Sequence, residues 1–181
     1  MKRELLDGEK VFIIHEFLPH EECNRLIATS ETIGYEAFTI DGEVIASFRN
    51  NARLMHDDPE LAESLWQRAS EFVPPMFDRK AASGFNPRFR FYRYKSEESF
   101  VAHYDGHIQL EDCESRLTFM VYLSDVLKGG ETRFYNSDGA MEFEVRPQCG
   151  TALVFEHDIL HEGVAVATGC KYVLRTDVMY G

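Results

Sequence analysis

The most restrictive feature of this sequence is a change of period near residue 87. Upstream, apolar residues recur at helical spacing, whereas from Arg88 onward polar and apolar residues alternate in short segments. Runs rich in glycine, proline and asparagine separate these segments, for example at 136–139 and 147–150. Several short strands with regular turns are typical of an antiparallel sandwich or barrel, and not of a parallel sheet. The predicted strands are 88–94, 100–105, 116–123, 132–135, 141–145, 151–155 and 171–180.

The first 87 residues predict helices with a few short strands. Pro19 opens a helical stretch over 20–29, with two glutamates in the first turn, where the helix dipole favours acids. A second helix begins after the capping residue Asp58 and is stopped by Pro74. Short strands are expected at 11–14, 36–40 and 44–48. We therefore predict an α+β, mainly β fold, in which two or three N-terminal helices pack against a double-stranded β-helix, or jelly roll.

Chain length and composition limit the possible functions. At 181 residues the chain suits one domain, with N-terminal support over 1–87 and a jelly-roll core over 88–181. The net charge of −12 argues against a nucleic-acid partner, because a polyanion would be repelled. No apolar run indicates a signal peptide or a membrane span, so we expect a cytoplasmic location and no membrane partner. The four cysteines show no C-x-x-C spacing and are expected to be reduced.

One predicted strand carries two side chains that can bind a metal ion. His103 and Asp105 are two residues apart, so an extended strand would point both of them to one face. A third ligand must come from elsewhere in the chain, and His161 is the leading candidate. Two histidines and one carboxylate on one side of an ion form the facial triad of non-haem iron(II) oxygenases, which leaves coordination positions open.

Two other histidines compete for these positions. His107 would share the face of the pair if the strand continued, giving a local zinc-like site, but Gly106 interrupts it. His157 competes with His161 for the distal position, and the run 157–161 resembles a degraded H-E-x-x-H zinc-protease helix. That motif needs a helix and a glutamate, whereas the preceding segment is strand-like and an aspartate occupies the glutamate position.

Short motifs along the chain point to one enzyme family. They are Arg93-Tyr94, His103-Tyr104-Asp105, 117–123, 129–134, 150–155, His161-Glu162-Gly163 and 169–171. Each motif is weak alone, but together they resemble, in order and with compatible spacing, the iron(II)/2-oxoglutarate-dependent dioxygenases. The resemblance is to the prolyl 4-hydroxylase-like branch in particular, and the segment 17–27 is similar to the helix that opens this branch.

The resemblance implies a ligand set and a reaction. In this family a cosubstrate-binding basic residue follows the distal histidine by about ten positions, and Lys171 stands in that relation to His161. His103, Asp105 and His161 would thus bind Fe(II), with 2-oxoglutarate as cosubstrate and O2 as oxidant. The family hydroxylates unactivated C–H bonds and releases succinate and CO2. Related halogenases lack the carboxylate ligand, so the presence of Asp105 implies hydroxylation.

The resemblance also implies how the cosubstrate is bound. Lys171 would pair with the C5 carboxylate of 2-oxoglutarate, since a buried carboxylate needs a cation. Tyr94 and Thr118 are implied as hydroxyl partners. Arg175 shares a strand face with Lys171 and can bind a carboxylate bidentately, so it is a second candidate for the C5 carboxylate or for a substrate group.

The substrate is less defined than the reaction, and two other functions stay open. Prolyl 4-hydroxylases usually carry tryptophan after the lysine, whereas in this chain Tyr172 follows Lys171. The resemblance therefore does not restrict the substrate to peptidyl proline, and an amino acid, a peptide or protein, or a small metabolite is expected. The sequence leaves the oligomeric state open. The first alternative is a metal-binding or sensor jelly roll without turnover, and the second is a zinc-dependent hydrolase that uses His157 and His161.

Overall fold

The architecture of the chain is mainly β. The computed structural model describes residues 1–37, 39–40, 43–44 and 49–181. In chain order, its strands are β1 (Lys2–Asp7), β2 (Val11–His15), β3 (Glu36–Ala37), β4 (Thr39–Ile40), β5 (Glu43–Val44), β6 (Ala52–Asp57), β7 (Met76–Phe77), β8 (Lys80–Phe85), β9 (Arg88–Tyr94), β10 (Phe100–His103), β11 (Glu114–Tyr122), β12 (Lys128–Gly129), β13 (Thr132–Tyr135), β14 (Met141–Val145), β15 (Ala152–Glu156), β16 (His161–Gly163), β17 (Val166–Thr168) and β18 (Lys171–Tyr180).

Two antiparallel sheets face each other. The larger follows the order β1-β2-β15-β11-β18-β9-β6-β3, and β8, which also pairs with β7, joins the end of β18. The smaller has the order β10-β16-β13-β14, and the remaining strands form the pairs β12-β17 and β4-β5. The facing surfaces touch where Phe134 of β13 meets Phe155 of β15, with ring centroids 5.3 Å apart. This curled arrangement agrees with a jelly roll and confirms the predicted mainly β, α+β class.

The described residues include two helices, and both begin at a local sequence signal. The first, α1 (His20–Ile33), has two glutamates in its first turn. The second, α2 (Pro59–Ala69), follows Asp58, whose side chain accepts a hydrogen bond of 2.9 Å from the Leu61 N–H. The predicted end of α2 at the prolines was wrong. The helix closes earlier, in a turn where the Phe72 N–H bonds the carbonyl of the last helical residue.

Alternation along the strands divides the core into two layers. On β11, Phe119 and Val121 belong to a cluster that the large sheet shares with both helices. Their neighbours Met120 and Tyr122 belong to a second cluster, between the two sheets. Burying each such side chain stabilises the fold by roughly 1.5–3 kcal/mol. The second layer also contains buried charged residues, and it is there that the candidate site lies.

The structure corrects one strand that matters for the site. The predicted strands corresponding to β9, β13, β14 and β18 have the expected bounds. The strand expected over 100–105 is shorter, because β10 ends at His103 and Asp105 lies beyond it. The Asp105 N–H donates to the carbonyl of His157 at 3.2 Å instead of to a neighbouring strand. The predicted extension of the strand to Asp105 was therefore wrong, although the two side chains do lie together as expected.

The N-terminal half contributes more strand than the sequence predicted. β1, β2 and β6 extend the large sheet, although β1 and β6 were not expected. In the region of the expected strands 36–40 and 44–48, β4 pairs with β5 and β3 pairs with β6. Positions 38 and 45–48 of that prediction lie outside the described residues.

Two global features complete the fold. The helices of the described residues are too short or too polar to span a membrane. The four cysteines are free thiols.

Candidate metal centre

The small sheet brings three ligand-type side chains together. His103, at the end of β10, lies opposite His161, at the start of β16, in the strand register. The His103 Nε2 is 3.6 Å from Asp105 Oδ1, and the His161 Nε2 is 3.7 Å from Asp105 Oδ2. One ligand atom from each residue lies within 4.8 Å of the others, and no other such group of three occurs in the described part of the chain. Two imidazole nitrogens and one carboxylate suit Fe(II) with open coordination positions.

Backbone carbonyls orient both imidazoles. The Nδ1 of His103 is 2.8 Å from the Val101 oxygen, and the Nδ1 of His161 is 2.9 Å from the Ile159 oxygen. A carbonyl oxygen only accepts, so Nδ1 carries the proton and Nε2 presents its lone pair to the site. Burial lowers the pKa of His161 to about 4, which keeps that ring neutral and able to bind a metal ion.

The Asp105 carboxylate is held by two partners from the large sheet. Arg175 Nη1 lies 2.9 Å from Oδ1, and the Thr118 hydroxyl donates to Oδ2 at 2.5 Å. Burial alone would raise the pKa of Asp105, but the Arg175 charge and the hydrogen bond from the Thr118 hydroxyl help to place the pKa well below its usual range. Asp105 is therefore an ionised carboxylate inside the protein.

A row of alternating charges continues behind Asp105. Arg175 Nη2 lies 3.3 Å from Asp177 Oδ1, and Arg90 Nη1 lies 2.9 Å from Asp177 Oδ2. Asp177 is fully buried. Sequence reasoning did not identify Arg90 or Asp177 as parts of the site. The available signal was that Asp177 shares a strand face with Arg175 and that an inward carboxylate requires a cation.

Lys171 lies in the same cavity as the three ligand-type residues but apart from them. Its Nζ donates to the Gly130 carbonyl at 2.7 Å and stands over the Tyr94 ring at 5.1 Å from the centroid. Burial lowers the pKa of Lys171 to about 7. Among the described residues, no carboxylate lies within ion-pair distance of this ammonium group. An anion entering the cavity would supply the missing counter-charge.

The hydroxyl groups near the cavity divide between its two ends. Thr118 is occupied at the metal end, where its oxygen bonds Asp105 and accepts from Arg175 Nη2 at 3.2 Å. Tyr94 is buried beside Lys171, opposite it in the pairing of β9 with β18. Thr132, which the sequence analysis missed, also lines the cavity and bonds the Tyr122 hydroxyl at 2.8 Å.

The competing histidines lie outside the group of three. His107 Nε2 is 3.1 Å from Asp158 Oδ1, and the His107 ring packs against the His157 ring. His157 is buried, with its Nε2 3.7 Å from Asp177 Oδ1. His157 follows β15 and His161 begins β16, so the helix that a zinc-protease motif requires is absent from these described residues.

Comparisons with known proteins agree with this geometry. A family model described as "2OG-Fe(II) oxygenase superfamily" matches residues 89–176. A probable prolyl 4-hydroxylase 3 of Arabidopsis thaliana is 24% identical over 206 residues, which cover 93% of this chain and 69% of that protein. Two further relatives from this plant, probable prolyl 4-hydroxylases, are matched over 56% and 51% of their lengths.

Solved structures show the same fold. The chain resembles the viral collagen prolyl hydroxylase of Paramecium bursaria Chlorella virus-1 in complex with 2OG, with a TM-score of 0.67 and 21% identity over 97% of this chain and 99% of that one. It also resembles a prolyl hydroxylase from Trichoplax adhaerens in complex with a hypoxia inducible factor peptide, with a TM-score of 0.71 and 16% identity over 96% of this chain and 84% of that one.

Proposed function

Because this chain belongs to the 2OG-Fe(II) oxygenase superfamily, we propose that it is an Fe(II)- and 2-oxoglutarate-dependent hydroxylase of a peptide or protein substrate. One observation carries the proposal: a single cavity holds both the His-Asp-His group and a buried lysine that, among the described residues, has no carboxylate at ion-pair distance. A site that only stored a metal ion would have no need of the lysine.

His103, Asp105 and His161 would hold the iron. Bound Fe(II) and 2-oxoglutarate supply the activation of O2 that C–H hydroxylation requires, with succinate and CO2 as coproducts. The chain fixes the two Nε2 atoms through the Nδ1 contacts to backbone carbonyls. It keeps the carboxylate ionised through Arg175. The ligands meet the metal position from one side, so the other side remains for cosubstrate and oxygen.

Lys171 would bind the C5 carboxylate of 2-oxoglutarate. Its ammonium group is buried and bonds only a neutral carbonyl oxygen, so a carboxylate would gain a strong, desolvated partner. Tyr94 and Thr132 are the hydroxyl-bearing side chains that we assign to the same end of the cavity. Thr118 and Arg175, the other two candidates from the sequence, are occupied by Asp105, and we therefore no longer assign them to the C5 carboxylate.

The substrate class comes from the relatives. The plant proteins are described as prolyl 4-hydroxylases, and the Trichoplax enzyme was solved with a peptide. A peptide could reach the metal end of the cavity beside Tyr104, which lies between two of the ligands in sequence and is 62% exposed. Peptidyl proline is thus the first substrate to test, and free amino acids are the second.

An anaerobic titration tests this function. Adding Fe(II) and then 2-oxoglutarate to the wild type is expected to produce a weak absorption band at ~500 nm, the signature of chelation at an open facial triad. His161→Ala should lose the band, because it removes a ligand. His157→Ala is the matched control and should keep it, since His157 lies outside the group of three.

Turnover distinguishes the remaining functions. Succinate formation with a proline-containing peptide, and a product heavier by one oxygen atom, are expected for the wild type. No band in the wild type, or a band that depends on His157 and not on His161, would refute the ligand assignment. A band without succinate on any peptide or amino acid would favour the sensor, and zinc-dependent hydrolysis without succinate would favour the hydrolase.

A further inference from the structure

Arg175 is a buried cation at the metal end of the cavity, beside the carboxylate of the metal group. Its guanidinium group lies close to polar side chains on both sides: Nη1 is 2.9 Å from Asp105 Oδ1, and Nη2 is 3.2 Å from the Thr118 oxygen and 3.3 Å from Asp177 Oδ1. Arg175 is 9% exposed. A cation placed beside a ligand for another cation lowers the attraction between that ligand and the metal. The contact between Arg175 and Asp105 must therefore improve metal binding in some other way that offsets this loss of attraction.

The benefit follows from where Asp105 lies in the chain. His103 and His161 stand on paired strands, so the sheet itself fixes their backbone positions. Asp105 lies beyond the end of β10 and is tied by one backbone hydrogen bond, to the His157 carbonyl. A carboxylate on such a segment can rotate about its side-chain torsions unless other groups hold it. Both Asp105 oxygens are in fact held, one by Arg175 and the other by Thr118.

Arg175 is itself held from behind. Asp177, two residues further along β18 on the same face, accepts from Arg175 and is in turn held by Arg90 on the adjacent strand β9. Two carboxylates and two guanidinium groups thus alternate as Asp105, Arg175, Asp177 and Arg90. This order neutralises the buried charges pairwise, and it fixes the guanidinium plane from two sides.

We propose that Arg175 is a positioning residue that holds the Asp105 carboxylate in the one orientation suited to the metal, supported by Asp177. The inference rests on the proposed function for the identity of the ligands, and it adds a role for Arg175 that is separate from the cosubstrate. Arg175 acts through Asp105 and contacts neither of the histidine ligands among the contacts described above. Groups that orient metal ligands typically change metal affinity by about 10–100-fold when they are removed.

Metal binding by the protein without cosubstrate tests the role directly. Mn(II), a stable substitute for Fe(II), is titrated into purified wild type, Arg175→Met, Arg175→Lys and Arg88→Met, and free Mn(II) is followed by its EPR signal. Arg175→Met is expected to weaken Mn(II) binding by about 10–100-fold. Arg175→Lys should recover part of the loss, because an ammonium group can hold one carboxylate oxygen but not bridge two acids.

Arg88→Met is the matched control. It removes a guanidinium group from the same strand, β9, where Arg88 pairs with the exposed Asp57 and not with Asp105 or Asp177, so Mn(II) affinity should stay within about threefold of the wild type. Arg175→Met leaves two buried carboxylates short of a cation, so a second variant covers the case in which it does not fold. Arg175→Met combined with Asp177→Asn restores the charge balance, and its affinity for Mn(II) should be about 10–100-fold lower than that of the wild type.

The outcomes distinguish a positioning role of Arg175 from a role in cosubstrate binding and from a failure of the metal site itself. Wild-type affinity in Arg175→Met, or in the double variant, overturns the positioning role. If Arg175→Met binds Mn(II) normally but loses most of its affinity for 2-oxoglutarate, Arg175 binds the C5 carboxylate, and the positioning role is again overturned. Failure of the wild type to bind Mn(II) would instead refute the metal site of the proposed function, and with it the premise for Arg175.

Discussion

Replacing Lys171 by methionine separates cosubstrate binding from metal binding. Methionine keeps an unbranched side chain of similar length and removes only the ammonium group. Lys171 bonds the Gly130 carbonyl and stands over two tyrosine rings, whereas the carboxylate ligand is held by Arg175, four residues along the same strand. We therefore expect Lys171→Met to weaken the binding of 2-oxoglutarate and to leave Mn(II) affinity within about threefold of the wild type.

The size of the effect follows from burial. Lys171 is 2% exposed, so water does not screen its charge. Leaving one partner of a buried ion pair alone costs about 3–5 kcal/mol, which corresponds to about 140- to 4,000-fold in affinity. The free protein already carries the cost of an unpaired ammonium group, and that cost disappears in the variant. The lower end, about 140-fold, is therefore the expected loss.

Calorimetric titration of 2-oxoglutarate into Mn(II)-loaded protein measures this loss. Lys128→Met, which removes an exposed lysine two residues from Gly130, is the matched control and should bind 2-oxoglutarate as the wild type does. An affinity of Lys171→Met within threefold of the wild type would refute the assignment. So would an equal loss in Lys128→Met, because general charge and not a specific partner would then attract the cosubstrate.

The same variant has a pH signature in the absence of cosubstrate. Burial lowers the pKa of Lys171 to about 7 in the folded protein, against about 10.4 for an unfolded lysine. Between these values the unfolded state binds more protons, so the wild type gains stability as pH rises. Lys171→Met lacks this dependence. Urea unfolding should find it more stable than the wild type at about pH 7, with the difference shrinking toward about pH 10; a difference that stays constant would contradict the burial argument.

Helix capping and turn geometry give two further outcomes that urea unfolding can measure. Asp58→Ala removes the carboxylate that caps α2 and should cost about 1 kcal/mol, whereas Asp58→Asn keeps a capping oxygen and should cost clearly less. Gly150→Ala should cost more than about 1 kcal/mol, because Gly150 has φ of +81° and a Cβ there would meet the Leu18 carbonyl oxygen. Gly139→Ala has a similar φ of +76° with open space around it, so an equal loss there would contradict the steric part.

Strand alternation predicts this fold best where the two faces of a strand meet different surroundings. β18 was bounded correctly from the sequence, because its alternate residues face the two core layers. β1 was missed because it lies at the sheet edge and most of its side chains are exposed, so it carries no buried face to recognise. Its position became clear only through its pairing with β2, a contact that sequence periodicity does not report.

The site was predicted in part, and for a reason that was partly wrong. His103, Asp105 and His161 do lie together, but Asp105 lies beyond the end of the predicted strand, where its N–H bonds the His157 carbonyl. The inward direction of Arg175 was predicted from its position on the strand. Its partner was not, because the choice among nearby carboxylates depends on ångström-scale distances between strands that are far apart in sequence.

The two buried cations of β18 then account for the direction in which a cosubstrate would bind. Lys171 and Arg175 share the inner face, and four residues at about 3.3 Å each separate their Cα atoms by about 13 Å. Arg175 is neutralised by two carboxylates, whereas Lys171 has none at ion-pair distance among the described residues, and Glu131 acts on it only from further away. Of these two cations, Lys171 is the one with charge left for a dianion in this cavity, whose other end would then face the metal ligands. The carboxylates beside Arg175 therefore make the two ends of the cavity electrostatically different, which a pair of free cations could not do.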